Sequence, residues 1–341
     1  MRKIEFDVLA SGHRTLVNTD QLSHLGFGTY VTTDIKKHKI FLEKAFAMEC
    51  VEYAPGRMLA RDRRAKYLME NGFRDFFFLD IKQVDKIEYP QALLNHWGVR
   101  VEAGGEDEIK RLNKVLKEHT AELGLKRVNP SMNSHGSYSF YTIDQDFNWF
   151  EHEYTRGKSN DIHFSEGHCT TIDRRDAHLS EDQKHLMIDP KINVGQINCE
   201  YLHDDVYLTH GTHAVLNMDK SRKFYEEVLK FRTVQQSPVS MSFAGASDFV
   251  IVGLGIDNKI QDQPRDIRFG VLYETDEDVE KMHVKITSCA EDYGLLIVED
   301  IQPAMLGGKS FCFRTIDQVW FEISSCPSEN IIGLFNAQIQ K

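Results

Sequence analysis

Hydrophobic and polar positions follow the same plan at four places in the chain: an alternating run, then a helical stripe. The first copy alternates over residues 28–34 and then places Ile40, Phe41 and Met48 on one side of a helix predicted over 36–48. Three further copies follow, with strand and helix predicted at 96–102 and 107–123, at 213–219 and 221–231, and at 268–274 and 277–293. The pattern therefore predicts four strand–helix units.

Short β-like runs follow these helices and extend each unit. They lie at residues 76–79, 138–143, 249–252 and 311–313. Each unit is therefore expected to be one strand, one helix and several further strands.

An internal repeat divides the chain into two halves. Residues 140–145 read Phe-Tyr-Thr-Ile-Asp-Gln and residues 313–318 read Phe-Arg-Thr-Ile-Asp-Gln, and each run is followed by Trp-Phe-Glu, at 149–151 and 320–322. This much identity in register indicates a duplication. The predicted domains are a first pair of modules at 1–151, a connector at 152–206 and a second pair of modules at 207–341.

Composition and charge exclude several classes of protein. The chain has 341 residues and a formal net charge of -11, which disfavours nucleic acid or an anionic membrane surface as a partner. No apolar run approaches the ~18 residues of a membrane helix. The acidic start of the chain is unlike a secretory signal, and the six cysteines form no Cys-x-x-Cys pair. We therefore expect reduced thiols and a cytoplasmic location.

Three features resemble the vicinal oxygen chelate superfamily, which includes glyoxalase I, bleomycin-resistance proteins and type I extradiol dioxygenases. Residues 218–225 resemble its first helix, in which an Asp precedes a Phe-Tyr pair, and residues 144–151 resemble its closing hairpin, with a Gln and a Phe at the usual Pro and Gly positions. Tyr141 lies ten residues before Glu151, as a Tyr precedes the ligand Glu in extradiol enzymes. The resemblance implies an α+β fold of four βαβββ modules that form two open β-barrel domains.

Superfamily members carry their metal ligands on the first and last strands of a module. Carried onto this sequence, the first-strand positions are Gly28, His96, His213 and Arg268. The last-strand positions are Asp80, Glu151, a stretch near Gly253 without a ligand, and Glu322. Which of these residues meet depends on how the modules pair.

Two pairings of the modules remain open. If modules pair within each half, each half has one imidazole fewer than a site with two histidines and one carboxylate needs. His24 could supply the missing imidazole in the first half. If module two packs against module three, His96, Glu151 and His213 form a 2-His-1-carboxylate triad. Such a triad leaves metal positions open for dioxygen and substrate. We prefer this second pairing.

Two further residues have weaker claims to the metal. Glu322 is the weaker candidate ligand, because Arg268 at the neighbouring position could form a buried salt bridge with it instead. His210 lies three positions before His213, so strand alternation puts the two on opposite faces. His210 is therefore left out of the predicted ligand set.

The resemblance implies a non-haem Fe(II)-dependent dioxygenase of the extradiol ring-cleavage type, acting on a catechol-like or related aromatic substrate. Tyr141 would donate a hydrogen bond to a substrate oxygen, and His135 would act as acid or base. Mn(II) fits the same ligands. The expected partners are the aromatic substrate and dioxygen, with a homodimer as an assembly that remains open.

Two other functions remain as alternatives. A glyoxalase-like isomerase or lyase would favour Zn or Ni and more carboxylate ligands, and Asp80 or Glu322 joining the site would support it. A metal-free small-molecule-binding protein of the resistance type is the third candidate.

Overall fold

The computed structural model describes most of the chain. The described residues are 5–8, 14–17, 24–70, 76–101, 105–134, 137–155, 201, 206–237, 240–244, 249–255, 260 and 262–339. The predicted acid or base His135 and most of the predicted connector lie outside these residues. The role of His135 and the domain boundaries at 151 and 207 therefore stay predictions.

The first half of the chain contains two short strands and two modules. The two strands are β1 (Glu5–Val8) and β2 (Arg14–Val17). Module one consists of β3 (His24–Thr32), α1 (Ile35–Phe46), β4 (Glu49–Ala54), β5 (Arg57–Arg61), α2 (Arg63–Glu70) and β6 (Phe78–Gln83). Module two consists of β7 (His96–Val101), α3 (Gly105–Glu118), β8 (Leu125–Val128), β9 (Met132–Ser134), β10 (Ser137–Asp144) and β11 (Trp149–Thr155).

The second half repeats the order of elements and ends in an additional helix. Module three consists of β12 (Val206–Val215), α4 (Met218–Lys223) with a π-helical turn (Phe224–Val228), β13 (Arg232–Ser237), β14 (Ser240–Ala244) and β15 (Val250–Gly255). Module four consists of β16 (Arg268–Leu272), α5 (Asp276–Tyr293), β17 (Ile297–Val298), β18 (Gln302–Pro303), β19 (Lys309–Arg314) and β20 (Trp320–Ser324), followed by α6 (Ser328–Ile339).

Each of two sheets combines one module from each half of the chain. Sheet A joins modules two and three, in the strand order β1-β2-β13-β14-β15-β12-β7-β11-β10-β8 with β9 beside β10. Sheet B joins modules one and four, in the order β17-β19-β20-β16-β3-β6-β5-β4 with β18 beside β19. The modules meet through antiparallel pairs, β7 with β12 and β3 with β16. The predicted α+β fold is confirmed, and module two packs against module three.

Capping residues decide where the first helix of a module begins. Asp34 accepts a hydrogen bond from the backbone N–H of Lys37 at 3.0 Å, and Asn217 accepts one from Lys220 at 2.9 Å. The strand predicted at 213–219 is therefore shorter than expected, ending at Val215 before the Asn217 cap. None of the described helices is long and apolar enough to cross a membrane.

Aromatic side chains packed onto glycines hold the two sheets together. A Cβ atom at Gly28 of sheet B would come within 2.2 Å of the Trp97 ring of sheet A. A Cβ atom at Gly211 of sheet A would come within 2.6 Å of the Phe269 ring of sheet B. The two rings also contact each other, with centroids 5.5 Å apart. A larger side chain at either glycine would push the sheets apart, so this contact sets their separation.

Candidate metal centre

Three buried side chains converge on three neighbouring strands of sheet A. They are His96 on β7, Glu151 on β11 and His210 on β12. His96 Nε2 lies 3.2 Å from Glu151 Oε2 and 3.3 Å from His210 Nε2. His210 Nε2 lies 3.4 Å from the same Glu151 oxygen, so the three atoms form a nearly equilateral triangle.

Strand register explains why these residues meet. Glu151 and His210 both pair with Gly98, from the parallel and the antiparallel side of β7. Paired residues share a face of the sheet, and His96, two positions from Gly98, lies on that face too. A Cβ atom at Gly98 would lie 2.0 Å from the His210 ring, so the glycine provides the space that the imidazole occupies.

The hydrogen bonds behind the two imidazoles allow both Nε2 atoms to face the cluster without a proton. His96 Nδ1 lies 2.6 Å from the backbone oxygen of Leu93, which can only accept, so Nδ1 carries the proton. His210 Nδ1 lies 3.0 Å from Thr209 Oγ1. When His210 Nδ1 donates to this hydroxyl, two lone pairs and a carboxylate oxygen face one another with no donor between them. A cation at the centre of the triangle can satisfy all three atoms.

The charge and spacing of the cluster fit one divalent metal ion. Burial raises the pKa of Glu151, but protons on His210 and His96, which take the place of a metal ion, supply hydrogen bonds and positive charge that hold that pKa well below its usual range. The carboxylate is therefore ionised at neutral pH. Ligands bonded to one metal at about 2.0–2.2 Å sit roughly 3.0–3.5 Å apart, which matches the observed triangle. Two imidazoles and one carboxylate form a facial triad.

Comparison with known proteins identifies the fold. No family model and no curated protein matches the sequence. Glyoxalase I from Zea mays superposes with a TM-score of 0.56 at 14% identity, covering 94% of this chain and 97% of that chain. A protein from Bacillus subtilis, named as a candidate dioxygenase, superposes with a TM-score of 0.55 at 12% identity, covering 89% of this chain and 86% of that chain. The chain has the vicinal oxygen chelate fold.

The vicinal oxygen chelate fold was predicted from the sequence, but it brings together a different second imidazole. His213 lies on the opposite face of β12 from His210. Its Nδ1 donates to the Ala214 carbonyl oxygen at 2.9 Å, and its Nε2 lies 3.2 Å from the Tyr225 hydroxyl. Burial lowers the pKa of His213. The two histidines lie on opposite faces of β12, as strand alternation predicts. The face that meets His96 and Glu151 carries His210, which was left out of the predicted ligand set, and not His213.

Tyr141 lies directly beside the triad. It pairs with Glu151 across β10 and β11, and its ring centroid is 5.2 Å from that of His96. Burial, the Glu151 charge and a hydrogen bond to that carboxylate raise the pKa of Tyr141 well above its usual range. The hydroxyl therefore keeps its proton and can donate it in a hydrogen bond.

The weaker candidate Glu322 occupies the equivalent place in sheet B. Its Oε2 accepts a hydrogen bond from Arg268 Nε at 2.6 Å, which is the buried ion pair predicted as the alternative to metal. Asp80 also lies in sheet B, where it accepts hydrogen bonds from Tyr53 at 2.9 Å and Arg57 at 3.0 Å. Neither carboxylate belongs to the cluster of His96, Glu151 and His210.

Residues behind His210 hold its ring in place. Thr209 Oγ1, which contacts His210 Nδ1, lies 3.3 Å from Glu153 Oε1. The Arg100 guanidinium donates to the same oxygen at 3.2 Å. Glu153 thus fixes the hydroxyl that orients the imidazole and favours its Nδ1–H form.

We expect Glu153→Gln to lower metal affinity by about 10–100-fold, because partners behind a ligand imidazole contribute that much. A chelator-competition titration measures the change. Glu280→Gln is the matched control, since Glu280 pairs with Lys309 at the surface. Equal affinities for the two variants and the wild type would show that Glu153 does not position His210.

Proposed function

We propose that the chain is a non-haem Fe(II)-dependent dioxygenase of the extradiol type, with His96, Glu151 and His210 as metal ligands and a catechol-like aromatic substrate. The observation that carries the proposal is the buried triangle of two imidazole Nε2 atoms and one carboxylate oxygen. Proteins use this ligand set for ferrous oxygenases.

The residue of β15 that pairs beside the triad is apolar, which favours a metal centre with three protein ligands. Thr212 of β12, on the same face as His210, pairs with the buried Val252, an apolar residue that cannot bind a metal. In sheet B, Thr29 pairs with Asp80 at the corresponding place. Three protein ligands leave half of the metal's coordination sphere for substrate and dioxygen. An isomerase would instead have been favoured by Asp80 or Glu322 joining the triad.

The residues around the metal position would divide the chemistry as follows. A ferrous ion at the triad would supply Lewis acidity and open positions for two vicinal oxygens and dioxygen. Glu151 supplies the negative charge that offsets the cation. Tyr141, held protonated beside it, donates a hydrogen bond to a substrate oxygen.

We expect Tyr141→Phe to keep the metal but to lower kcat/KM by about 100-fold, the usual cost of removing one well-placed donor. Steady-state oxygen uptake with the best substrate measures the effect. Tyr225→Phe is the control, because it removes a hydroxyl from the opposite face of sheet A. A Tyr141→Phe variant as active as Tyr225→Phe would remove Tyr141 from the mechanism.

Oxygen uptake by Fe(II)-loaded protein with a panel of catechols tests the proposed function. The expected result is uptake with formation of a ring-opened product, lost in Glu151→Ala. The likeness to glyoxalase I over 94% of this chain keeps a metal-dependent isomerase as the second candidate. Metal-dependent substrate conversion without oxygen uptake would favour the isomerase, and absence of metal binding would contradict both enzymes.

A further inference from the structure

Sheet B forms a second cleft at the place that corresponds to the metal centre of sheet A. The cleft has a volume of about 460 Å³, the size of a small-molecule site. Arg268 and Glu322 line it and are only 7% and 9% exposed. Arg268 and Glu322 occupy the same register positions as His96 and Glu151. Glu322 pairs with the residue two positions after Arg268, as Glu151 pairs with the residue two positions after His96. A charged pair thus replaces the metal ligands.

The charged groups of the second cleft keep unused hydrogen-bonding capacity. Arg268 uses Nε for Glu322 and Nη1 for the Arg265 carbonyl oxygen, at 2.6 and 3.2 Å. Arg57 uses Nη2 for Asp80 and Nε for Tyr53. Within the described residues, no partner holds Arg268 Nη2, Arg57 Nη1 or Glu322 Oε1. Guanidinium donors and a carboxylate acceptor therefore remain for a ligand.

Charge balance decides the class of ligand. Four cations line the cleft, Arg57, Lys82, Arg265 and Arg268. Four anions also line it, Asp266, Glu299, Asp300 and Glu322. A simple anion or a simple cation would meet as many like charges as opposite ones. A molecule with one group of each sign keeps the balance and can satisfy both kinds of free group.

We propose that the second cleft binds a small zwitterion that carries a carboxylate and an ammonium group. The carboxylate faces the free guanidinium donors of Arg268 and Arg57, and the ammonium group faces Glu322. A buried ion pair with no ligand to bind is seldom better than apolar residues of the same volume. The ligand explains why two charges stand at the centre of this cleft.

Saturation-transfer NMR with the protein amino acids as probes tests the proposal on the full chain. Each amino acid that binds is compared with two partial probes, one without the amino group and one without the carboxylate. For alanine the two partial probes are propionate and ethylamine. We expect binding in the millimolar range, and binding of both partial probes that is weaker by about tenfold or more.

A double variant, Arg268→Met with Glu322→Leu, removes both central charges while keeping the volume. We expect it to fold, to keep the metal content of the wild type and to lose amino-acid binding. Arg127→Gln, at an exposed residue of sheet A, should bind as the wild type does. The proposal is overturned if no amino acid binds, if either partial probe binds equally well, or if the double variant still binds.

Discussion

A His210→Ala variant is expected to bind divalent metal more than about 100-fold more weakly than the wild type, because it loses a ligand rather than a residue behind one. His213→Ala is expected to keep wild-type metal affinity. It should instead lower the free energy of unfolding by about 1–3 kcal/mol, since it leaves the buried Tyr225 hydroxyl without its partner. Metal titration and thermal unfolding of both variants measure these two effects.

The two histidines form a matched pair, since they are three residues apart on one strand and both buried. Metal titrations at temperatures below the unfolding transition of the less stable variant distinguish loss of the fold from loss of a metal-binding side chain. If His213→Ala lost the metal and His210→Ala kept it, the ligand set predicted from the sequence would be restored and the structure of β12 would be wrong.

Gly98→Ala is expected to abolish tight metal binding without removing any ligand. The new methyl group would lie 2.0 Å from the His210 ring, which would have to leave the triangle with His96 and Glu151. We expect a loss in metal affinity close to that of His210→Ala, measured by the same titration, in a protein that still folds.

Gly270→Ala is the matched control for this steric effect. Gly270 occupies the corresponding position in sheet B, where its Cβ would lie 2.1 Å from the Phe27 ring. This variant should show a comparable loss of thermal stability with metal affinity unchanged. Equal metal losses in the two variants would mean that Gly98 acts through the overall fold and not through His210.

The modular fold could be predicted because its signals are local. The alternating run at 28–34 and the helical stripe at 36–48 recur along the chain, and the repeat at 140–145 and 313–318 aligns the two closing hairpins. These hairpins place Glu151 and Glu322 at equivalent positions, opposite Tyr141 and Cys312. The choice between the two module pairings depends on long-range strand pairs, β7 with β12 and β3 with β16, which no local pattern reveals.

The position of His210 in the cluster with His96 and Glu151 did have a signal in the sequence. Gly28-Thr29 in module one and Gly211-Thr212 in module three lie the same distance before their helix caps, Asp34 and Asn217. Aligned on this dipeptide, His210 corresponds to Phe27 and His213 to the buried Tyr30. Phe27 lies over Gly270 as His210 lies over Gly98.

In the prediction from the sequence, His213 was matched to Gly28 instead, a shift that exchanges the two faces of the strand and so puts His213 in the place of His210. The ion pair of Arg268 and Glu322, by contrast, could be foreseen from residue types alone. An arginine at a ligand position already neutralises the carboxylate beside it, which disfavours a metal ion there.

The number of Fe(II) ions bound per chain after anaerobic reconstitution tests the central claim most directly. The account predicts a single ion in the wild type, a single ion in Glu322→Gln and none in Glu151→Ala. Two ions per chain, none in the wild type, or loss of the ion in Glu322→Gln would contradict a single centre built from His96, Glu151 and His210.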